Sequence, residues 1–430
     1  MDSNSTAQPV IFFTETQYPL PSQKFLIPTA WRRYQLSQLV NKALSLEKPV
    51  PFDFLVKGEI LRGTLSEWCA ENGVGEEETL EIEYIESVMP PQKISDLPHE
   101  DWVSSVSCQL QGYLVTASYD GQIRMFDYSK NLVTSTQVHS APLSSVCLIS
   151  SDETTYTFAS SSQDMTAHVT QVVLTSDVTP SSKVLASLHL HTASLSSVSS
   201  SINGSNLLTS SWDGLIGLWD TTIPSTDEVP EPLLNERDRK KRRRIEETDK
   251  PKRKAPRNVL KSHTARVSKS IFSPSNQTKA LSCGFDSTVR IWDTEYGVCE
   301  HTFTASERPF LDLAVTKDGT TALATSTDRT MTMYDLRTSS NSLTASSAHF
   351  LHPSTPSCVA IGETNSHQVV TGAYDGLVRV WDLRSTKGPV ATFKAWDGVK
   401  KVLSVDWKRG LVGVGGEGGV EVWRVGEEKS

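Results

Sequence analysis

The stretch Ser282-Cys283-Gly284-Phe285-Asp286-Ser287-Thr288-Val289-Arg290-Ile291-Trp292-Asp293 sets the reading of the whole chain. It reads as strand, tight turn, strand. Asp286 suits the turn because its side chain can bond its own backbone two residues on. After it, Val289 and Ile291 alternate with polar neighbours, as on a half-buried strand. The unit recurs. Asp120 leads to Phe126-Asp127, Asp213 to Trp219-Asp220, Asp328 to Tyr334-Asp335 and Asp375 to Trp381-Asp382, the aromatic always six residues after the turn acid. Two copies are worn: Asp164 has Thr170 at the sixth place, and Glu417 replaces the aspartate but keeps Trp423.

Seven units result, spaced 44, 49, 73, 42, 47 and 42 residues apart. A period in the forties closed by Trp-Asp is the signature of a WD40 propeller. The expected fold is therefore mainly β, with a seven-bladed WD40 β-propeller over residues 92–426. Only seven residues follow Trp423, too few for the fourth strand of a last blade. Gln92–Leu97 is expected to supply that strand and so to leave the ring without a free edge.

Inside the repeat a second regularity appears. His263 precedes Asp286 by 23 residues, and Ser282 precedes it by four. His99, His139, His191 and His352 stand 21 to 25 residues before their own turn acids, with Thr116, Ser160, Thr209 and Thr371 in the Ser282 position. A Ser-His-Asp catalytic triad uses the same residue types. A catalytic site has no reason to be copied around a ring, whereas buried polar groups need partners in every blade. The set His263, Ser282, Asp286 and Trp292 is accordingly read as a structural network, with the turn Asp holding the histidine in each copy.

Residues 8–88 do not fit the repeat. Strands are expected at 8–16 and 24–27, a helix at 34–47 with Leu36, Leu39, Val40, Ala43 and Leu44 on one face, and strands at 52–56 and 59–61. A short helix is expected at 64–71 with Thr64 and Glu67 as a capping box, then a strand at 79–85. This order over about 80 residues resembles a ubiquitin-like β-grasp (α+β) domain.

The chain has 430 residues, 37% hydrophobic and 21% charged, the composition of a globular protein. No apolar run approaches the roughly 18 residues of a membrane span, and Met1 to Val10 carries no apolar signal-peptide core. Six scattered cysteines without metal-ligand spacing read as buried thiols of a reducing compartment. The net charge of −8 hides one basic segment. Residues 237–257 hold 12 Lys/Arg and 4 Asp/Glu, leaving 30 Lys/Arg against 46 Asp/Glu elsewhere. That imbalance argues against a fold built to hold nucleic acid. The segment lies in the long 73-residue gap, and residues 222–258 are expected to be a disordered basic insertion. Its two clusters, Arg239-Lys240-Lys241-Arg242-Arg243-Arg244 and Lys252-Arg253-Lys254, have the form of a bipartite nuclear localisation signal. A solvated charged loop and non-specific contact with RNA phosphates are the other readings.

No phosphate-binding glycine loop or metal-ligand cluster is present, so no enzymatic activity and no cofactor are expected. What remains is Glu76-Glu77-Glu78, before the last strand of the N-terminal domain. A solvated acidic turn is one reading. The other is a carboxylate offered to a partner's Mg²⁺, a hard ion that readily accepts one or two such ligands.

The combination of domains, with the local matches Lys48-Pro49-Val50-Pro51-Phe52-Asp53-Phe54-Leu55, Asp101-Trp102-Val103-Ser104-Ser105 and Ser118-Tyr119-Asp120-Gly121, resembles the WD-repeat ribosome-biogenesis proteins of the PeBoW complex. The resemblance covers nearly the whole chain. It implies a non-catalytic assembly factor for the large (60S) ribosomal subunit and pre-rRNA maturation, found in nucleolus and nucleoplasm. It implies as partners the block-of-proliferation protein, pescadillo, the pre-60S particle and the AAA ATPase midasin. In that family an acidic residue before the last strand of the N-terminal domain completes midasin's metal site. The register places it on Glu77, with Glu76 and Glu78 as neighbours. A Notchless-type midasin adaptor and a ubiquitin-pathway substrate adaptor are the rival readings. The Notchless-type family has a longer chain with eight blades.

Overall fold

The computed structural model describes residues 6–75, 77–175, 178–230, 250–304, 307–337, 346–363 and 365–426. The chain divides into two compact units, one built on Met1–Pro90 and the other on Pro91–Val380 with Thr392–Ser430; Trp381–Ala391 group with the first.

In the first unit a mixed sheet carries its strands in the spatial order Lys24–Pro28, Ala7–Phe13, Leu80–Glu86, Phe52–Val56, Glu59–Ile60. The first and last strands in sequence are parallel, Val10 standing opposite Leu80 and Phe12 opposite Ile82. The helix Arg33–Leu44 buries Leu36 and Val40 in a core with Val10, Phe12, Phe52, Phe54, Ile82 and Tyr84. It stops three residues short of the expected end, because Ser45 turns left-handed (φ 51°). The Asn41 amide then reads both backbone groups of Val50, at 2.7 Å each, and leads the chain into the next strand. The second helix, Leu65–Asn72, starts on a capping box. The Thr64 N–H donates to Glu67 Oε2 at 2.8 Å, and the Glu67 N–H donates to Thr64 Oγ1 at 3.2 Å. It ends on Gly73 at φ 65°, a backbone conformation glycine adopts without strain.

The second unit is a series of sheets, seven among the described residues, antiparallel but for one outer strand of the second. Their first strands are Val103–Ser107, Leu143–Ser151, Leu195–Ser200, Val267–Phe272, Phe310–Val315, Pro356–Ile361 and Val402–Lys408. Each packs on the next, and the seventh packs on the first. The outer strand of the seventh sheet is Gln92–Leu97, which pairs with Gly419–Arg424 in the register Val420↔Leu97 and Val422↔Ser95. Side chains from neighbouring sheets share cores: Leu97, Val103, Val106, Leu114, Val420 and Val422 join the last sheet to the first. The Trp of the repeat is fully buried, as at Trp219, Trp292 and Trp381. Replacing so large a buried ring by alanine costs about 3–5 kcal/mol.

One expectation needs correction. Residues 222–258 are not loop throughout. The chain leaves the third sheet after Leu215–Asp220 and returns as Lys252–Lys254. That strand lies parallel to Val178–Leu188 on the outer edge of the second sheet. Only then does Asn258–Lys261 complete the third sheet. The returning strand is held by acids of the segment that follows Leu215–Asp220. The Arg253 N–H donates to Asp227 Oδ1 at 2.9 Å, and the Ala255 N–H donates to Glu228 Oε2 at 2.9 Å.

Candidate functional site

The acidic loop lies between the helix Leu65–Asn72 and the strand Leu80–Glu86. Its shape is set by a residue far away in sequence. Gln8, only 1% exposed, aims its amide at the loop and donates to the carbonyls of both Gly75 and Glu78. The Glu78 N–H donates to the Gly75 carbonyl at 3.2 Å, closing a turn. Glu77 sits within that turn and is exposed. It has no hydrogen bond or ion pair among the described residues. Glu78 differs: its carboxylate lies 3.5 Å from Lys57 Nζ. Glu76 lies outside the described residues. The result is a carboxylate on a pinned backbone, unpaired and open to another surface. Among the described residues no group of three or more His, Cys, Asp or Glu could itself hold a metal ion.

Around the opening stretch the repeated side chains meet at hydrogen-bond distance. His263 Nδ1 meets Asp286 Oδ2 at 2.8 Å and His263 Nε2 meets Ser282 Oγ at 2.7 Å. The Trp292 indole N–H donates to Ser282 Oγ at 2.8 Å. His191, Asp213, Thr209 and Trp219 repeat it at 2.8–3.1 Å. His139 joins Asp164 and Ser160 at 2.8 and 3.0 Å. In that copy the Trp place holds Thr170, and His168 stacks on His139 at 3.9 Å.

Two of the five histidines depart from the expected bond to the turn acid. Asp120 is taken by Arg124 at 2.5 Å and Asp375 by Arg379 at 2.6 Å. His99 and His352 instead turn Nδ1 to the carbonyls of Leu97 and Phe350, both at 3.0 Å. The cause is an arginine four residues after the acid. A permanently charged guanidinium outcompetes a neutral imidazole for a carboxylate. Arg290 holds the same place after Asp286, but it is drawn to Ser262 and stays 3.5 Å from the acid.

The network makes the fold acid-sensitive in a calculable direction. Burial, together with Arg379, lowers the His352 pKa from its ordinary 6.5 to about 4. The unfolded chain therefore binds the extra proton first, and stability falls as pH drops from 6.5 to 4, by about 3 kcal/mol from this residue. Burial alone would raise the Asp164 carboxyl, but His139 and Thr166 bring it down to about 2. Its contribution is lost in a second step, as pH falls from 3.8 towards 2. His352→Gln removes this residue's share of the first step, while His99, His168 and His189, whose pKa values burial also lowers, keep theirs. Thermal unfolding should show a flatter slope for this variant than for wild type between pH 6.5 and 4; identical slopes would refute the assignment.

The basic segment divides. Arg239, Lys240, Lys241, Arg242, Arg243 and Arg244 lie outside the described residues. Lys252 and Arg253 are half-buried. Lys254 is 2% exposed, its ammonium on Asp220 Oδ1 and on the Thr222 carbonyl. Lys254 thus belongs to the fold, because an ammonium in that place needs both acceptors to be tolerated.

One surface was not singled out from the sequence. Tyr119, Trp212, Phe285 and Tyr374 each immediately precede a turn acid. Each donates its backbone N–H to the carbonyl just before the first strand of its sheet, at 2.8–3.1 Å. They therefore occupy the same end of the second strand in four sheets, and three of them, with Trp102, are 40–45% exposed. Arg266 lies 4.4 Å over Trp212 and 5.9 Å over Phe285, and Lys401 lies 5.9 Å over Tyr374. Exposed aromatics beside arginine are the composition of interaction hot spots. The signal was present in the residue before each of these four acids.

Comparison with known proteins agrees with this division. Residues 9–69 match the NLE (NUC135) domain, and residues 92–127, 182–220, 254–293 and 344–382 match the WD domain, G-beta repeat. A protein of Laccaria bicolor named ribosome biogenesis protein YTM1 is 67% identical, over 100% of this chain and 97% of that protein. Its namesake in Coprinopsis cinerea is 61% identical over the same shares. The Saccharomyces cerevisiae protein of that name is 31% identical over 92% of both chains. The chain belongs to this family, an NLE domain followed by WD repeats, whose named members are ribosome biogenesis proteins.

Proposed function

We propose that the protein is a non-catalytic assembly factor of the large (60S) ribosomal subunit that couples the pre-60S particle to the AAA ATPase midasin. The observation that carries this reading is Glu77: exposed, unpaired among the described residues, and fixed in place by the buried Gln8 amide. A carboxylate so presented can complete the coordination of a Mg²⁺ ion held by another protein. The names of the relatives support a role in ribosome biogenesis.

The remaining parts fit one machine. The first unit is read as a ubiquitin-like β-grasp, supported by its parallel first and last strands and the helix across the sheet. The second is read as a seven-bladed propeller, supported by seven sheets whose first strands touch in a cycle. The propeller docks on the block-of-proliferation protein, in complex with pescadillo, and the exposed aromatic end of the sheets supplies anchors of the right kind. The basic segment directs the chain to nucleolus and nucleoplasm, with its import determinant centred on Arg239–Arg244 because Lys254 is engaged in the fold. The protein performs no chemistry: it transmits force from midasin to the particle.

Affinity purification of the full chain, with identification of proteins and RNA, tests this. Pre-60S factors and pre-rRNA should dominate. A purification dominated by ubiquitin-ligase subunits would favour a substrate adaptor instead.

A further inference from the structure

A cavity of about 340 Å³ lies between the seventh sheet and the first, beside the strand Gln92–Leu97. Ile94, Leu114, Leu411 and Val422 give it aliphatic walls, and Arg409 and Arg424 line it as well. None of its lining residues is acidic. Leu114 and Val422 are buried, so the walls belong to the core between the two sheets. Ile94 is 39% exposed and marks the mouth.

The two arginines are unequal. Arg409 has φ 51° and sits at the turn between the strands Val402–Lys408 and Leu411–Gly416. One of its terminal nitrogens, Nη2, donates to the Gln109 carbonyl. The other, Nη1, is buried and has no hydrogen-bond partner among the described residues. Nη1 is covered by the protein's own atoms, so Arg409 lends the cavity positive charge rather than an open donor. Arg424 is exposed, and its guanidinium makes no hydrogen bond or ion pair among the described residues. The strand Gln92–Leu97 is the last of its sheet, so its outer edge is free to accept an extended chain among the described residues.

We propose that this cavity docks an extended segment of a partner protein in which an aliphatic side chain stands close to a carboxylate. The aliphatic group fills the apolar walls, and the carboxylate meets the exposed Arg424 guanidinium. Charge complementarity and the open edge select this occupant. A nucleic acid would engage the guanidinium groups and leave four aliphatic walls unused. The inference is independent of the role given to Glu77.

The test uses four fluorescein-labelled dodecapeptides of glycine and serine. Each carries one leucine and one aspartate, separated by one to four residues. Fluorescence anisotropy with the full-length protein should show saturable binding of at least one peptide. Its affinity should fall about tenfold or more for Arg424→Glu and for Ile94→Glu. Changing the peptide aspartate to asparagine should weaken binding of the unaltered protein as much, which needs no variant to fold. The proposal is overturned if none of the four peptides saturates. Equal affinity of the asparagine peptide, or of the Arg424→Glu protein, would also overturn it, by showing attraction to another basic surface.

Discussion

A chain beginning at Pro98 is expected to lose its ordered second unit, whereas a chain beginning at Pro91 retains it. The six residues between them form the strand that ties the start of the second unit to its end. Three losses coincide. Leu97, 2% exposed, leaves a shared core, which for a leucine costs about 2–5 kcal/mol. The backbone groups of Gly419–Arg424 lose their partner strand, at about 1 kcal/mol for each hydrogen bond. Glu421, 1% exposed, loses Lys93 at 2.5 Å and keeps, among the described residues, only the Trp423 indole and the Trp396 N–H. Lys93 is itself partly exposed, so this pair adds less than a fully buried one. The sum approaches the whole stability of a typical domain, about 5–15 kcal/mol. Calorimetry should show the melting temperature lowered by roughly 10 °C or more, or no cooperative transition. The shorter chain also exchanges an outer edge guarded by the charged Lys93 and Asp96 for the edge of Gly419–Arg424, which should make it self-associate. Equal melting of the two chains would mean that the strand is ornamental.

Much of the fold was legible because its determinants are local. The turn acid and the aromatic six residues later belong to one hairpin, so Asp286 and Trp292 announce their sheet without knowledge of any other. The capping box of Thr64 and Glu67 spans three residues and was equally visible. What escaped depended on distant partners. A run such as Lys252-Arg253-Lys254 reads as solvated charge, and only the approach of Asp220 and Thr222, more than thirty residues earlier, makes Lys254 a buried residue. The histidine pattern was visible, but the outcome at His99 and His352 turned on Arg124 and Arg379. Those arginines stand four residues after the acid and could have been weighed.

The acidic loop shows the same boundary. Three consecutive glutamates are indistinguishable in sequence. The structure separates two of them through Lys57, which lies 21 residues from Glu78, and through Gln8, about seventy residues from the loop it supports. Glu78 has a cation beside it, and Glu77 has none among the described residues. If Glu77 completes a metal site on midasin, its charge and its reach both matter. Glutamine keeps the length but removes the charge, and aspartate keeps the charge but shortens the arm by one methylene. Losing a charged group from a desolvated contact costs about 2–5 kcal/mol, or roughly 30-fold and more in affinity. The substitutions leave the fold untouched, since Glu77 is exposed.

The decisive measurement is the affinity of the midasin metal-site domain, in Mg²⁺, for the full-length protein and its Glu76→Ala, Glu77→Ala, Glu77→Gln and Glu78→Ala variants. Binding should fall about 30-fold or more for both Glu77 variants and stay near wild type for Glu76→Ala and Glu78→Ala, with the partner proposed for the WD-repeat unit still bound in every case. Undiminished binding of Glu77→Ala would contradict the account.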